Sequence, residues 1–375
     1  MRVLVSGSSM AGHFGPLVPF VEAGVARGDA VLVVVPEAAA ERARTTGAQV
    51  VPGGSPDPDE LARLWRDFRA APPREASVIA NREVFGRLNT AAMLPAVERA
   101  VAQHRPDVVV HEPTEYAGPI AAMRAGIRHA QVAISLAEVE GGSLTVAAPA
   151  LARYGPVVDA LRAAPYLTRF PAPIDPSPYP DTRRYQDPAA AAQPLPDWWN
   201  GSTDPLVYVT FGTVAGTVGT GAYRAATEAL ADEPLRVLMS TGQDLDLGPM
   251  PRNVHVCRWI AQADALAEAS AVVCHGGSGT ALGALAAGVP MVVHAMFADQ
   301  LHNARALHGL GVAVVVDPAG ATAAQRSTYD PAAAPALRAA VWRCLHDAHP
   351  REAARRIARE LARRPTVEAA LASLR

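Results

Sequence analysis

"CHGGSGTALGALAAGVP" (274–290) is the stretch on which the reading of this chain turns. His275 leads into Gly276, Gly277, Ser278, Gly279 and Thr280, and an Ala/Leu-rich helical run follows until Gly288 and Pro290. With so little side chain at its start, such a helix leaves its first backbone N–H groups bare. Unpaired donors at the positive end of a helix dipole make an anion site, so the stretch points to a phosphate. The apolar "AVVC" (271–274) ahead of it reads as a strand running into the loop. That is the setting in which glycines let backbone approach a pyrophosphate. Taken singly, the same loop serves equally as a tight turn between strand and helix.

The bulk properties narrow the field. The chain has 375 residues, a length that suggests about two domains, and half of them are hydrophobic. The formal net charge of −2 implies no nucleic-acid partner. All 34 basic residues are arginine, which excludes a P-loop lysine, a Schiff-base lysine and a pyridoxal-phosphate anchor. The three cysteines, Cys257, Cys274 and Cys344, form no close pair, so neither a disulfide framework nor a zinc ribbon is indicated. The start "MRVLVSGSSMAGHFG" lacks the apolar region of a signal peptide, and no apolar run reaches membrane-spanning length. The expectation is a cytoplasmic protein with no stable membrane insertion.

Short apolar runs alternate with helical ones in two series. Strands are expected at 2–6, 30–35, 107–111 and 129–134, with helices at 16–28, 37–46, 76–104 and 116–126. β-branched runs without polar alternation indicate strands buried on both faces, hence a parallel sheet. From 165 to 205 proline interrupts everything and no regular structure is expected. The rhythm restarts with strands at 206–211, 236–240, 271–275, 291–294 and 312–316. The expected architecture is α/β: two doubly wound Rossmann-like domains facing across a cleft. The boundaries read 1–185 for the first domain, 186–205 for a Pro-rich linker, 206–350 for the second domain and 351–375 for a C-terminal helix packing back on the body.

Other residues converge on the glycine loop. In "FADQLHNARAL" (297–307), Asp299 and Gln300 stand where a helix begins, and a carboxylate beside an amide can grip adjacent sugar hydroxyls. In "CRWIAQADAL" (257–266), Trp259 can stack on a base and Ile260 can bond it through its backbone. "VTFGTVAG" (209–216) ends another strand in Gly212 and Thr213.

Together these residues resemble the family 1 glycosyltransferases of GT-B fold, which include bacterial antibiotic-tailoring enzymes. The series "HGGSGT…GVP…ADQ…NA" carries the resemblance. It implies that His275, Gly277, Ser278, Gly279 and Thr280 bind the donor's diphosphate, with Thr213 touching it from the other side. It implies that Trp259, with Ile260 and Gln262 nearby, holds the base, and that Asp299 and Gln300 hold the sugar. It implies no metal and no cofactor, the nucleotide sugar being a co-substrate. The chain departs from the pattern in having Ala261 for a proline, and Gly283 where members using UDP-sugars carry a ribose-binding glutamate. Gly283 is read as a space for deoxyribose and a thymine methyl, hence a dTDP-sugar donor. The alternative is that it lets the helix 278–287 pack closely.

The first domain is expected to hold the acceptor. In "SMAGHFGPLVPFVEA" (9–23), His13 stands where the family has its catalytic histidine, and a neutral imidazole suits removal of an acceptor hydroxyl's proton. In "VVVHEPTEY" (108–116), Glu112 falls where the family has an aspartate that orients the base, with Glu115 as the alternative. Phe14, Glu115 and the segment 134–167 are expected to line the acceptor pocket. The resulting expectation is an inverting transferase moving a sugar or deoxysugar from a dTDP-sugar to a hydroxyl of a hydrophobic natural product. A nucleotide-sugar epimerase, a MurG-like transferase, or a non-catalytic activator subunit on the same fold are the rivals. A homodimer is left open.

Overall fold

The computed structural model describes residues 1–186, 192–212, 220–296, 299–316 and 333–375. The chain forms two compact units, Met1–Pro188 with Arg364–Arg375, and Ala189–Arg363. Each is built on one parallel sheet.

In the first unit the strands are β1 (Arg2–Ser6), β2 (Ala30–Pro36), β3 (Gln49–Gly53), β4 (Val108–His111), β5 (Arg128–Val132), β6 (Tyr166–Thr168) and β7 (Thr182–Arg184). They lie in the order β3-β2-β1-β4-β5-β6-β7 and every pairing is parallel. The unbroken valine runs have a direct cause, since both faces are covered. Leu4, Leu32, Val34 and Val109 pack under Val97 and Ile120 of the helices Thr90–His104 and Ala117–Ala125. Val3, Val5, Val31, Val33 and Val110 face the other way, against Phe20 and Val21 of the helix Val18–Ala26 and Leu371 of the helix Val367–Ala372. Neither face needs polar residues, so the period-two signal is lost.

Two expectations are corrected here. The Pro-rich run contains regular structure: β6 and β7 fit between its prolines and widen the sheet, with Tyr166 N–H donating to the Asp181 carbonyl at 2.9 Å. The span 76–104 is not one α-helix. It is a short helix, Pro73–Val78, then a π-helical stretch, Ile79–Asn89, then the α-helix Thr90–His104.

In the second unit the strands are β8 (Leu206–Thr210), β9 (Arg236–Ser240), β10 (Val254–Cys257), β11 (Ala269–Cys274), β12 (Met291–Val293) and β13 (Ala313–Val315). Their order is β10-β9-β8-β11-β12-β13, again parallel throughout. Ahead of β8, residues 192–205 form no helix or strand but are fastened to this unit. Gln193 N–H donates to Asp264 at 2.8 Å, and Trp198 stacks on His255 with ring centroids 4.0 Å apart. The basic helix Ala348–Leu361 buries Ala353, Ala354, Ile357 and Leu361 and lies against the helix Ser278–Ala287.

The helix Gln262–Glu268 also packs on Ser278–Ala287, and Gly283 is the point of contact. A Cβ there would stand 2.1 Å from Gln262 Nε2 and 3.1 Å from Leu266 Cδ1. The space expected to admit a deoxyribose is therefore filled by Gln262, whose amide donates to the Gly279 carbonyl at 3.4 Å. Gly283 serves helix packing. Alanine in a helix interior is favoured over glycine by about 1 kcal/mol. Gly283→Ala should therefore stabilise a Gln262→Ala background by up to about 1 kcal/mol and do measurably less in the wild type. Urea denaturation of the four proteins measures this, and equal effects in both backgrounds contradict the contact.

Candidate active site

In the first unit the candidate side chains lie at the carboxyl ends of β1 and β4, which are neighbours in the sheet. After β1 the chain passes into a single helical turn, Ala11–Phe14, that carries His13. After β4 comes Glu112. His13 Nδ1 lies 3.2 Å from Glu112 Oε1 and 3.0 Å from Thr114 Oγ. Glu112 is fully buried and accepts the Thr114 backbone N–H at 2.6 Å. Burial pushes its carboxyl up, but the facing His13 and the Thr114 hydrogen bonds outweigh that and hold it below the usual carboxylate range. Phe85, on the π-helical stretch, packs against the imidazole with ring centroids 5.3 Å apart. The His13 side chain keeps 16% exposure, and its Nε2 has no hydrogen-bond partner among the described residues. An imidazole with Nδ1 anchored on an anionic network and Nε2 open is arranged to accept a proton there.

Of the two carboxylates left open as the orienting group, the structure brings Glu112 to His13 and directs Glu115 elsewhere. Glu115 is buried, accepts the N–H groups of Ala117 and Gly118 at 2.9 Å each, and takes the Ser6 hydroxyl at 2.5 Å. It caps the helix Ala117–Ala125 and ties it to the end of β1. Burial pushes its carboxyl up to about 7. Gly118 has to be glycine, since a Cβ would stand 2.2 Å from Ser6 Oγ. The expected acceptor role of Glu115 is thus corrected, and so is that of Phe14. Phe14 has no exposed surface and packs with Val5, Leu17 and Val35 in the core. On the one-turn helix, His13 points out while its neighbour anchors the turn.

In the second unit the corresponding place is the carboxyl ends of β8 and β11, also adjacent in the sheet. Gly212 follows β8 and His275 follows β11. A Cβ at Gly212 would lie 2.9 Å from His275 Cε1, and one at Gly277 would lie 2.4 Å from its Nε2. Both glycines are therefore demanded by the imidazole wedged between them. Burial pushes His275 down to about 4, against the opposing influence of Asp299 and the Thr210 backbone, so it is neutral at physiological pH. The helix Ser278–Ala287 begins after Gly277 with no side-chain cap. Gly279 is exposed, with nothing within 4 Å of where its Cβ would be. Thr280 is buried at 8% exposure and takes its place in the helix wall.

Asp299 precedes the helix Gln300–Gly309, and its Oδ2 accepts from Ser278 Oγ and Asn303 Nδ2, both at 3.1 Å. Gln300 does not stand beside it toward solvent. At 4% exposure, Gln300 turns inward and its Oε1 accepts the Met296 N–H at 2.9 Å. Asn303 also donates to the Gly276 carbonyl at 2.9 Å, so it locks the glycine loop to the following helix. Trp259 is 74% exposed, far more than any other large hydrophobic side chain described, and Ile260 beside it is half-buried. Thr213 lies outside the described residues.

Sequence reasoning missed Thr114, Phe85 and the locking role of Asn303. Thr114 had a signal in its spacing, two residues after a candidate carboxylate at a strand end. Phe85 had none, since only the fold brings residue 85 to residue 13. Among the described residues no group of three or more His, Cys, Asp or Glu side chains is placed to hold a metal, and no helix is long and apolar enough to cross a membrane.

Comparison with known proteins places the chain in a family. The sequence profile of the erythromycin biosynthesis protein CIII-like C-terminal domain matches residues 225–374. The elloramycin glycosyltransferase ElmGT of Streptomyces olivaceus is 32% identical over 356 residues, covering 90% of this chain and 92% of that protein. Among solved structures, the glycosyltransferase SnogD from Streptomyces nogalater superposes with a TM-score of 0.79 at 27% identity, over 100% of this chain and 98% of that one. The glycosyltransferase SsfS6 of Streptomyces sp. SF2575, solved with thymidine diphosphate, has the same fold, with a TM-score of 0.75 at 24% identity over 100% and 99% of the two chains. The chain belongs to the family 1 glycosyltransferases of GT-B fold, enzymes that transfer sugars to antibiotics and related natural-product aglycones.

Proposed function

We propose that this enzyme transfers a sugar or deoxysugar from a dTDP donor to a hydroxyl of a hydrophobic aglycone, in one step and with inversion. The observation that carries the proposal is the open Nε2 of His13 above an Nδ1 held by Glu112 and Thr114. In this reading Nε2 takes the proton of the acceptor hydroxyl as its oxygen attacks the anomeric carbon. The bond from that carbon to the diphosphate breaks, and its electron pair leaves with the nucleotide. A single displacement from the face opposite the leaving group inverts the centre. Glu112, ionised, offsets the positive charge that develops on the imidazole.

The second unit is read as the nucleotide site. The uncapped N–H groups of Ser278, Gly279 and Thr280 take the diphosphate, with the helix dipole behind them and no metal required. Neutral His275 contributes a hydrogen bond and no charge. Trp259 offers its exposed face to the base, and Asp299 is the group that holds the sugar. With Gly283 explained by packing, the thymine preference rests on the thymidine diphosphate bound to the SsfS6 neighbour.

Two experiments test the proposal. His13→Ala should lower turnover of dTDP-α-D-glucose, followed as dTDP release, by 10²-fold or more, the usual worth of a general base. Calorimetric dTDP affinity should stay unchanged, and a loss under about tenfold removes His13 from the base role. In a side-by-side titration of the wild type, dTDP should bind more tightly than UDP. Equal or tighter UDP binding overturns the donor assignment.

A further inference from the structure

We propose that Thr114 is a positioning residue that clamps Glu112 and fixes His13 in the tautomer with hydrogen on Nδ1. The inference rests on the reading of His13 as base. Its starting point is one hydroxyl with three neighbours. Thr114 Oγ lies 3.0 Å from His13 Nδ1, 3.0 Å from Glu112 Oε1 and 2.9 Å from Glu112 Oε2. The Thr114 backbone N–H adds a fourth contact, to Oε2 at 2.6 Å.

A hydroxyl has one proton and two lone pairs. With Glu112 ionised, its oxygens only accept, so the Thr114 proton goes to the carboxylate. The hydroxyl's remaining lone pairs then face His13 Nδ1. Glu112 Oε1, at 3.2 Å, faces the same nitrogen with a lone pair. Two acceptors aimed at Nδ1 require it to carry the hydrogen. The other tautomer would set its lone pair against both. Nε2 is thereby left unprotonated and able to take a proton.

Removing the hydroxyl changes more than one bond. Glu112 has no exposed surface, so no solvent replaces the lost donor. A buried carboxylate with fewer hydrogen bonds takes up a proton more readily. As a neutral acid it can donate to Nδ1, and the imidazole hydrogen then moves to Nε2. The histidine would remain in place, packed on Phe85, but in the form that cannot act as a base.

The test uses Thr114→Val, close in shape and lacking the hydroxyl, with Thr114→Ser as the variant that keeps it. In turnover of dTDP-α-D-glucose, Thr114→Val should lose about 10- to 100-fold in kcat, the span of one hydrogen bond to a charged group. Its KM for the nucleotide sugar should stay within about twofold, and Thr114→Ser should stay within about threefold of wild-type kcat. Imidazole nitrogen NMR of 15N-histidine-labelled protein, with His13→Ala to assign the signals, should show an unprotonated Nε2 in the wild type and a protonated Nε2 in Thr114→Val. If Thr114→Val does not fold, Thr114→Ala carries the same expectations. If His13→Ala abolishes turnover while the hydroxyl-free variant keeps wild-type kcat and tautomer, this inference fails and the base assignment stands. If His13→Ala is itself active, the base assignment fails first. An equal loss in Thr114→Ser also overturns the inference.

Discussion

Each sheet reverses its strand order once, and the site residues depend on that reversal. β1 lies between β2 and β4, and β8 lies between β9 and β11. When parallel strands are connected on opposite faces of a sheet, the loops leaving two adjacent strand ends diverge. A crevice opens at their carboxyl ends, where doubly wound proteins bind their ligands. His13 follows β1 and Glu112 and Thr114 follow β4, while Gly212 follows β8 and His275 follows β11. Among the described strands no other neighbouring pair marks such a reversal. The sheets therefore set where chemistry can occur before any side chain is chosen.

Around those ends the packing leaves little freedom. Ser6 closes β1 and reaches Glu115, which caps the next helix, and only glycine fits at 118 beneath them. Phe14 pins the turn that presents His13. In the second unit two glycines sandwich His275, and Asn303 ties the loop to the helix behind Asp299. Several residues that look chemical by type are in this sense part of the frame. Glu115 spends its oxygens on two backbone N–H groups and the Ser6 hydroxyl, and Gln300 its Oε1 on the Met296 N–H, partners that spare a buried polar group an uncompensated desolvation cost of about 1–3 kcal/mol. Among the described site residues, His13 keeps open surface in the first unit, and Gly279, Trp259, Ser278 and Asp299 keep some in the second.

Much of this was legible in the sequence. Central strands such as β1, β2, β4, β8 and β11 are buried on both faces, so their valine runs stand out. The strands that escaped notice are edges or next to one. β3 carries Pro52 and is half-exposed, β7 is three residues long, and β10 is buried at only one of its four positions. Edge strands tolerate proline and polar residues because half of their backbone and side chains face solvent, which erases the pattern. His13, Glu112 and the glycine loop were legible because they sit beside clear strand ends. Phe85 was hidden because its contact with His13 spans 72 positions of chain and depends on a π-helical stretch. Gly283 was misread because a missing side chain looks the same in sequence whether a ligand or Gln262 fills its place.

Charge is sparse at both sites. An ionised Glu112 stands ready for an imidazolium, and a helix start without a side-chain cap, beside a neutral His275, stands ready for a diphosphate. Such an arrangement suits one concerted displacement, with a proton taken at one end and a diphosphate released at the other. The most direct measurement of that claim is the configuration of the sugar as it is first released. Proton NMR of the purified enzyme turning over dTDP-α-D-glucose in water reads it from the anomeric signal before mutarotation. With a single displacement β-glucose appears first, and initial release of α-glucose would rule that displacement out.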